Sequence, residues 1–179
     1  IKVQWDLSNR INTNLSGIKN VTYYTFVSPD ANGTINDCWF TELYNVNCIG
    51  VTPIKGYAGP YLVLELDSDN DGSRDYILVE HKFATNTSSG WYRRNVTDNT
   101  YFHTLNVSAE YAAVNSWSTT TPAQLSTIKT DQTLNNSKII RLKLDFGSWD
   151  PTQISLGTPI STYVDEVAIN NILLPEPYA

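Results

Sequence analysis

The chain has 179 residues, which is enough for one domain of ordinary size with a core of its own. Its formal net charge of −6 argues against a nucleic-acid binder, which needs a basic surface to meet phosphates. No apolar run approaches the ~20 residues of a membrane-spanning helix. The sequence therefore predicts no nucleic-acid partner and no membrane span.

The first residues predict a β-strand with one apolar face, because apolar and polar residues alternate with a period of two. A polar stretch, residues 9–20, separates this strand from the rest of the chain and would act as a leash. Two alternatives follow: the strand is the first of its own domain, or it inserts into an open sheet edge of a neighbouring copy. We therefore divide the chain into a terminal strand, 1–8, the leash and a head domain, 21–179. The apolar residues of the strand are Ile1, Val3, Trp5 and Leu7.

The head domain contains a series of further strand patterns, rich in β-branched and aromatic residues and bounded by Gly, Pro, Asn or Asp. Thr121 followed by a proline and, at 124, a glutamine predicts one short helix that runs to about Lys129. This pattern predicts an all-β fold, a single β-sandwich of the jelly-roll or pilin type with at most one short helix. The predicted strands are Val21–Val27, Cys38–Tyr44, Tyr61–Leu66, Tyr76–Phe83, Thr100–Val107, Glu110–Trp117, Lys138–Phe146 and Tyr163–Ile169.

The two cysteines, Cys38 and Cys48, flank a predicted turn around Asn45–Asn47. A disulfide between them would close a short loop and contribute about 2–3 kcal/mol in the chain-entropy model. The alternative is a pair of buried free thiols. We expect the disulfide, because the glycosylation signals described below indicate an extracellular location.

One acidic segment, 67–75, has the carboxylate spacing of a calcium loop, with aspartates at positions 1, 3, 5 and 9 and Gly72 at position 6. Position 12 holds Leu78 instead of the usual glutamate, and predicted strands flank the loop. The alternatives are a calcium site and an acidic hairpin turn whose conformation comes from Asn70–Gly72. Calcium is thus the one candidate cofactor, and none is required. The candidate ligands are Asp67, Asp69, Asp71 and Asp75.

Asn-X-Ser/Thr sequons occur along the whole chain, about twice as often as the composition would give by chance. They predict an extracellular surface protein with covalent N-glycans. The alternative is that an Asn- and Thr-rich β-protein contains sequons by accident. The chain also lacks Met, so we expect a mature chain from which a signal segment was removed, although a trimmed chain would look the same. The predicted glycosylation sites are Asn14, Asn20, Asn32, Asn86, Asn95, Asn106 and Asn135.

The terminal strand, the dense sequons, the absence of Met and the scarcity of Lys and Glu together resemble the subunit of an archaeal surface filament, the thread of thermoacidophiles. The resemblance implies glycosylated β-sandwich heads joined by donor-strand complementation, as in bacterial chaperone–usher pili. It implies that Ile1, Val3, Trp5 and Leu7 plug the adjacent subunit. Identical subunits would then form an extracellular homopolymer with a role in cell adhesion. Residues 142–147 and 163–170 are also similar to the closing strands of lectin-like jelly rolls.

No catalytic residues are predicted, and we do not expect an enzyme. Both histidines lie in strand-like segments, and neither cysteine has a persuasive base partner. Asp165 and Glu166 are adjacent, so on a strand they would point to opposite faces. Glu65 and Glu80 could meet across a hairpin, as the acids of glycosidases on jelly rolls do, but nothing beside them marks an acid and a nucleophile.

The alternative function is a secreted, lectin-like jelly-roll module that binds carbohydrate, with calcium as a candidate requirement. Exposed aromatic rings are the usual platform for sugars, and the chain contains 5 Trp and 11 Tyr. Trp91–Arg94, Trp117 and Trp149 lie near predicted strand ends or loops, where a binding site would be. Each of these aromatic residues could instead pack in the core or at its rim.

Overall fold

The computed structural model describes residues 2–8, 11–27, 38–40, 46–48, 57–80, 90–106, 121–148 and 163–176. These ranges are mostly β-strand, which confirms the predicted all-β fold. They contain one short helix, α1 (Leu125–Ile128), and one 3-10 turn (Leu15–Gly17), and none of their helices has the length and apolar character to cross a membrane. The strands are β1 (Lys2–Asp6), β2 (Val21–Val27), β3 (Cys38–Phe40), β4 (Val46–Cys48), β5 (Tyr57–Asp67), β6 (Tyr76–Glu80), β7 (Gly90–Val96), β8 (Tyr101–Asn106), β9 (Ala123–Gln124), β10 (Lys138–Ser148), β11 (Tyr163–Ile169) and β12 (Ile172–Leu173).

Two antiparallel sheets enclose the main core. The larger sheet has six strands in the order β1-β10-β5-β6-β8-β9, and the smaller has four in the order β12-β11-β2-β7. Leu64 and Leu142 from the larger sheet pack in one cluster with Val21, Tyr23 and Val96 from the smaller. Apolar side chains at every second position of these strands meet between the sheets, as a sandwich requires.

The six-stranded sheet is buried on both faces around β5 and β6. Leu64 and Leu78 face the main core, whereas Val63, Ile77 and Val79 belong to a second apolar cluster on the opposite face. The backbone of β3, which forms a two-stranded sheet with β4, lies close to β5 and β6. Residues 62–67 are therefore all buried, in contrast to the half-exposed alternation expected of a surface strand.

The terminal strand β1 forms one edge of the six-stranded sheet and pairs antiparallel with β10 of the same chain. Trp5 is paired with Leu142 and is 5% exposed, and Leu7 is 1% exposed. Val3 is partly buried against the same core, while Ile1 lies outside the described residues. In the single chain, β1 is therefore the first strand of its own domain, which is one of the two alternatives that the sequence left open.

Residues 11–20 of the predicted leash pack against the head domain. Leu15 and Ile18 are buried in the main core. The Leu15 amide donates to the Ser137 carbonyl at 2.9 Å, and the Ile139 amide donates to the Thr13 carbonyl at 3.1 Å. Together with the partly buried Ile11, these residues anchor a segment whose composition is otherwise mostly polar.

Two local predictions differ from the structure, and a third lies on residues that the structure does not describe. The turn expected around Asn45–Asn47 overlaps β4, which begins at Val46 and pairs with β3. The expected helix begins later, at Leu125, because Ala123–Gln124 pair with β8 as strand β9. The predicted strand Glu110–Trp117 lies outside the described residues.

Candidate functional site

The β1 segment fills a slot at the edge of the sandwich. Its indole donor, Nε1 of Trp5, bonds to the Pro175 carbonyl at 2.8 Å, and the Leu7 amide donates to the Ile140 carbonyl at 2.8 Å. Gln4, on the other face of the strand, is exposed. At the end of the strand, Asp6 accepts hydrogen bonds from the amide and hydroxyl of Ser8. The apolar face of β1 is thus a plug between the sheets, and a local turn ends the strand.

The acidic loop begins where β5 ends and returns the chain to β6. One carboxylate oxygen from each of Asp67, Asp69 and Asp71 lies within 4.8 Å of the others. Asp75, the fourth predicted ligand, instead accepts hydrogen bonds from the amide and hydroxyl of Ser68, both at 2.7 Å. The structure therefore brings three of the four predicted ligands together, while the fourth braces the base of the loop.

The electrostatics of this loop fit either a hard cation or a hydrogen-bonded turn. The Asp71 amide lowers the pKa of Asp69, but desolvation and repulsion by neighbouring carboxylates together raise it above its ordinary value. Hydrogen bonds from Ser73 lower the pKa of Asp71. Asp67 accepts the Gly72 amide at 2.9 Å, and Gly72 has φ +89°, a conformation that favours glycine. Calcium binding stays a prediction.

Glu65 and Glu80 lie on opposite faces of the six-stranded sheet, so the prediction that they could meet across the hairpin is wrong. Glu65 is opposite Ile77, a residue of the second cluster. Glu80 is opposite Phe102, a residue of the main core, and accepts the Leu62 amide at 3.1 Å. The register of the hairpin separates the two carboxylates by an odd number of positions, which places them on different faces.

Each buried glutamate is neutralised by nearby cations. Glu65 accepts hydrogen bonds from Arg74 at 2.8 Å and from Arg141 and Lys143 at 2.6 Å each. Burial raises the pKa of Glu65, but these hydrogen bonds outweigh that effect and hold the pKa below its ordinary value. Glu80 forms an ion pair with Arg94 of β7. These contacts are those of structural ion clusters, in which a carboxylate stays charged.

Three aromatic rings form a patch on the outward face of the four-stranded sheet. This ring patch consists of Phe26, Trp91 and Tyr163, one from each of three neighbouring strands. The ring centroids of Phe26 lie 5.5 Å from Trp91 and 5.8 Å from Tyr163. Trp91 is 53% and Tyr163 55% exposed. Of the aromatic candidates named from the sequence, Trp91 joins this patch, whereas Trp117 and Trp149 lie outside the described residues.

The predicted glycosylation sites differ in their exposure. Asn14, Asn95 and Asn106 are exposed and can present their amide nitrogen to an enzyme. Asn20 and Asn135 are half-buried, and each has a buried side-chain oxygen without a hydrogen-bond partner. The remaining two sites, Asn32 and Asn86, lie outside the described residues.

The antiparallel pairing of β3 and β4 places Cys38 directly opposite Cys48. Opposed residues in such a pair have Cβ atoms about 4.5–5.5 Å apart, close to the spacing that a disulfide needs. The backbone register is therefore compatible with the expected bridge. The disulfide itself stays a prediction, because the cysteine side chains lie outside what the structure describes.

A comparison of the chain with protein-family models finds no family that matches, and comparisons with curated proteins and with solved structures find no match either. The function of the protein is therefore inferred from its own residues and their geometry.

Proposed function

We propose that the protein is a structural subunit of an extracellular, glycosylated filament with a role in adhesion. Copies would assemble head to tail, with the terminal strand of each copy inserted into the slot of the next. The observation that carries this proposal is the position of β1: an edge strand that pairs only with β10 among the described strands and fills a core slot with Trp5 and Leu7.

An edge strand that pairs with a single neighbour can be exchanged between copies without any new kind of contact. The register that pairs Val3 with Leu144 and Trp5 with Leu142 is the same whether β1 comes from the same chain or from a neighbour. Each copy would give its own strand and receive another. Because the donated strand and the receiving slot are different surfaces, the contact is heterologous, and it builds a filament when the rotation between neighbouring copies does not close a ring.

The pivot for such an exchange would lie within residues 8–11, directly after β1. Leu15 and Ile18 hold the following segment in the core of the head, so only a short connection has to change direction. The local bonds that would open are those of Ser8 with Asp6 and the Ile11 amide with the Leu7 carbonyl.

Exchange retains the stabilising contacts of the strand. Burial of side chains such as Trp5 and Leu7 contributes about 1.5–3 kcal/mol each, and the ladder to β10 adds main-chain hydrogen bonds. Because these contacts are identical within a chain and between chains, the protein concentration and the strain in the short connection decide which form prevails.

A cross-strand cysteine pair tests the proposal directly. Lys2 and Asp145 are paired across β1 and β10, so a Lys2→Cys/Asp145→Cys variant places two thiols opposite each other. We expect the oxidised variant to give filaments in negative-stain electron microscopy and a ladder of covalent multimers on a non-reducing gel.

The two single-cysteine variants serve as matched controls and should give no such ladder. Filaments that dissociate into covalently closed single chains would mean that β1 stays in its own sheet, which would contradict strand exchange. Discrete particles in wild-type samples at all concentrations would contradict the filament itself.

The ring patch favours one second candidate function, a lectin-like carbohydrate-binding module. In that function Trp91 and Tyr163, both more than half exposed, would stack on the sugar of another molecule. A module of this kind would be a monomer or a closed oligomer, and it would bind soluble oligosaccharides in isothermal titration calorimetry.

A further inference from the structure

The ring patch shares its sheet face with a predicted glycosylation site. Strand β7 runs from Trp91 to Asn95 with side chains alternating between the faces, and Val96 points into the main core. Trp91, Arg93 and Asn95 therefore lie on the outward face together, and all three are exposed. We propose that the ring patch is the docking surface for the N-linked glycan on Asn95 of the same chain, an inference that rests on the glycosylation in the proposed function.

The path from Asn95 to the ring patch is short and lies along one strand. The two ends are four residues apart, about 13 Å at a rise of ~3.3 Å per residue. Beside Asn95, the register places Thr22 on β2 and Ala168 on β11. Both side chains are small and buried, whereas Asn95 beside them is exposed and can carry a glycan that extends along the strand.

Between Asn95 and the ring patch lies a row of polar groups. Arg93 is paired with Tyr24 on β2, and Tyr24 is paired with Asp165 on β11. All three are exposed and offer a guanidinium, a hydroxyl and a carboxylate. Sugar hydroxyls can bond to these groups, while the apolar C–H faces of the following sugars stack on the rings. The face thus offers, in order, an attachment point, hydrogen-bonding groups and a stacking surface.

The glycan of the same chain is favoured over a separate ligand because it is already attached to this face. A tethered ligand has an effective concentration in the millimolar range when its reach matches the distance, so weak stacking suffices to hold it. A cover of this kind would also remove from solvent an aromatic patch that otherwise favours association with other molecules.

Residue-level hydroxyl-radical footprinting by mass spectrometry tests this assignment on the glycosylated protein. Thr97→Ala abolishes the sequon at Asn95, whereas Thr97→Ser preserves it and is the matched control. We expect Trp91 and Tyr163 to be oxidised several-fold faster in Thr97→Ala than in wild type or Thr97→Ser. Tyr101, 36% exposed on the other sheet, should react equally in all three.

Enzymatic removal of the glycans from folded wild-type protein should give the same increase without a substitution. Equal oxidation of the ring patch with and without an occupied Asn95 would overturn the inference. A native protein that has no glycan on Asn95 would overturn it too. Filament assembly through β1 is tested independently, by the covalent multimers of the Lys2→Cys/Asp145→Cys variant. A third outcome would assign the patch to a separate sugar ligand: an added soluble oligosaccharide protects Trp91 from oxidation in Thr97→Ala, but the native glycan does not protect it in wild type.

Discussion

Glu65 shows at the scale of one residue how this fold keeps a charge in its interior. The carboxylate is fully buried, and three cations from β10 and the acidic loop surround it. Lys143, one of the three, is itself only 3% exposed. Removal of one partner from such a cluster leaves the others buried without their counter-charge, which costs more than the cluster contributes as a whole.

We therefore expect Glu65→Gln to lower the free energy of unfolding at pH 7 by about 3–5 kcal/mol. Because the pKa of Glu65 in the folded protein lies below its ordinary value of 4.5, its contribution is complete above the unfolded-state pKa and is lost as the pH falls through the folded-state pKa. The difference between wild type and variant should thus shrink on acidification, which urea unfolding at pH 7 and at successively lower pH would measure.

Glu176→Gln is the control for this comparison, because Glu176 is exposed and its removal should change stability by less than about 0.5 kcal/mol. A difference between wild type and Glu65→Gln that stays constant down to the lowest pH would contradict the assigned role of the ion cluster.

The sequence predicted single residues well where the chemistry is local. Gly72 and Asn70 have the positive φ that the turn interpretation of the acidic loop requires. Two of the three partners of Glu65 were not predictable, because Arg141 and Lys143 are 76 and 78 positions away along the chain. Only the pairing of β5 with β10 brings these cations to the carboxylate.

At the scale of elements, two strands rich in β-branched and aromatic residues were predicted with the correct ends. The bounds Val21–Val27 and Tyr163–Ile169 agree with β2 and β11. Strand β7 was missed, because its inward positions include Arg94, and the ion pair with Glu80 on the other sheet explains why an arginine lies there. Local periodicity contains no information about such a partner.

A bulge in β11 also escaped the sequence pattern. The register shifts between Asp165 and Ala168, and Glu166 has φ +50°. Both acidic residues are exposed as a result, instead of lying on opposite faces as expected. The extra residue allows Val164 and Val167, three positions apart, to pack against the same core.

For the acidic loop we expect millimolar Ca²⁺ to raise the melting temperature by about 2–4 °C, because ion binding to the folded state alone stabilises it. Asp71→Asn should remove the effect, since it takes one of the three clustered carboxylates away. Asp131→Asn, at an exposed carboxylate outside the loop, should leave it unchanged.

Thermal unfolding followed by circular dichroism, with calcium and with chelator, would measure this effect. A wild-type melting temperature that does not respond to calcium would favour the hydrogen-bonded turn. A calcium effect that weakens on acidification is the expected sign of proton competition for the carboxylates.

At the scale of the whole molecule, we expect loss of the terminal strand to destabilise the fold strongly, and a peptide that replaces the strand to restore its stability. A chain that lacks residues 1–8 loses the plug of Trp5 and Leu7 and exposes the edge of β10. We expect it to be strongly destabilised and unable to form filaments, as thermal unfolding and negative-stain microscopy would measure.

A synthetic peptide of residues 1–8, added during refolding, should restore the stability of the truncated chain, because it supplies the missing strand. The same peptide with Trp5→Ser and Leu7→Ser is the matched control and should not restore it. Full stability of the truncated chain without any peptide would contradict the role of β1 as part of the core.

The overall architecture was predictable only in its class. Strands separated by turns indicated a sandwich, and the described residues form two main antiparallel sheets. The strand order was not predictable, because β1 pairs with β10 and β8 pairs with β6 and β9 across long stretches of chain. The second apolar layer behind β5 and β6 was missed as well, because Leu64–Asp67 alternate between leucine and acidic residues, a pattern that predicts a strand with one buried face.

The antiparallel pairing of β1 with β10 decides how a joint built on this strand would respond to force. The ladder hydrogen bonds lie across the strand, so a load along β1 shears all of them together, whereas a sideways load would peel them one by one. The hydrogen bond from the Trp5 indole to the Pro175 carbonyl resists sliding of the strand along β10. Since side chains repeat every second residue, the strand must slip two full positions before its apolar groups meet equivalent places again. Under a load along β1, such a joint would not slide gradually; the strand would stay in register until all of its hydrogen bonds break in a single step.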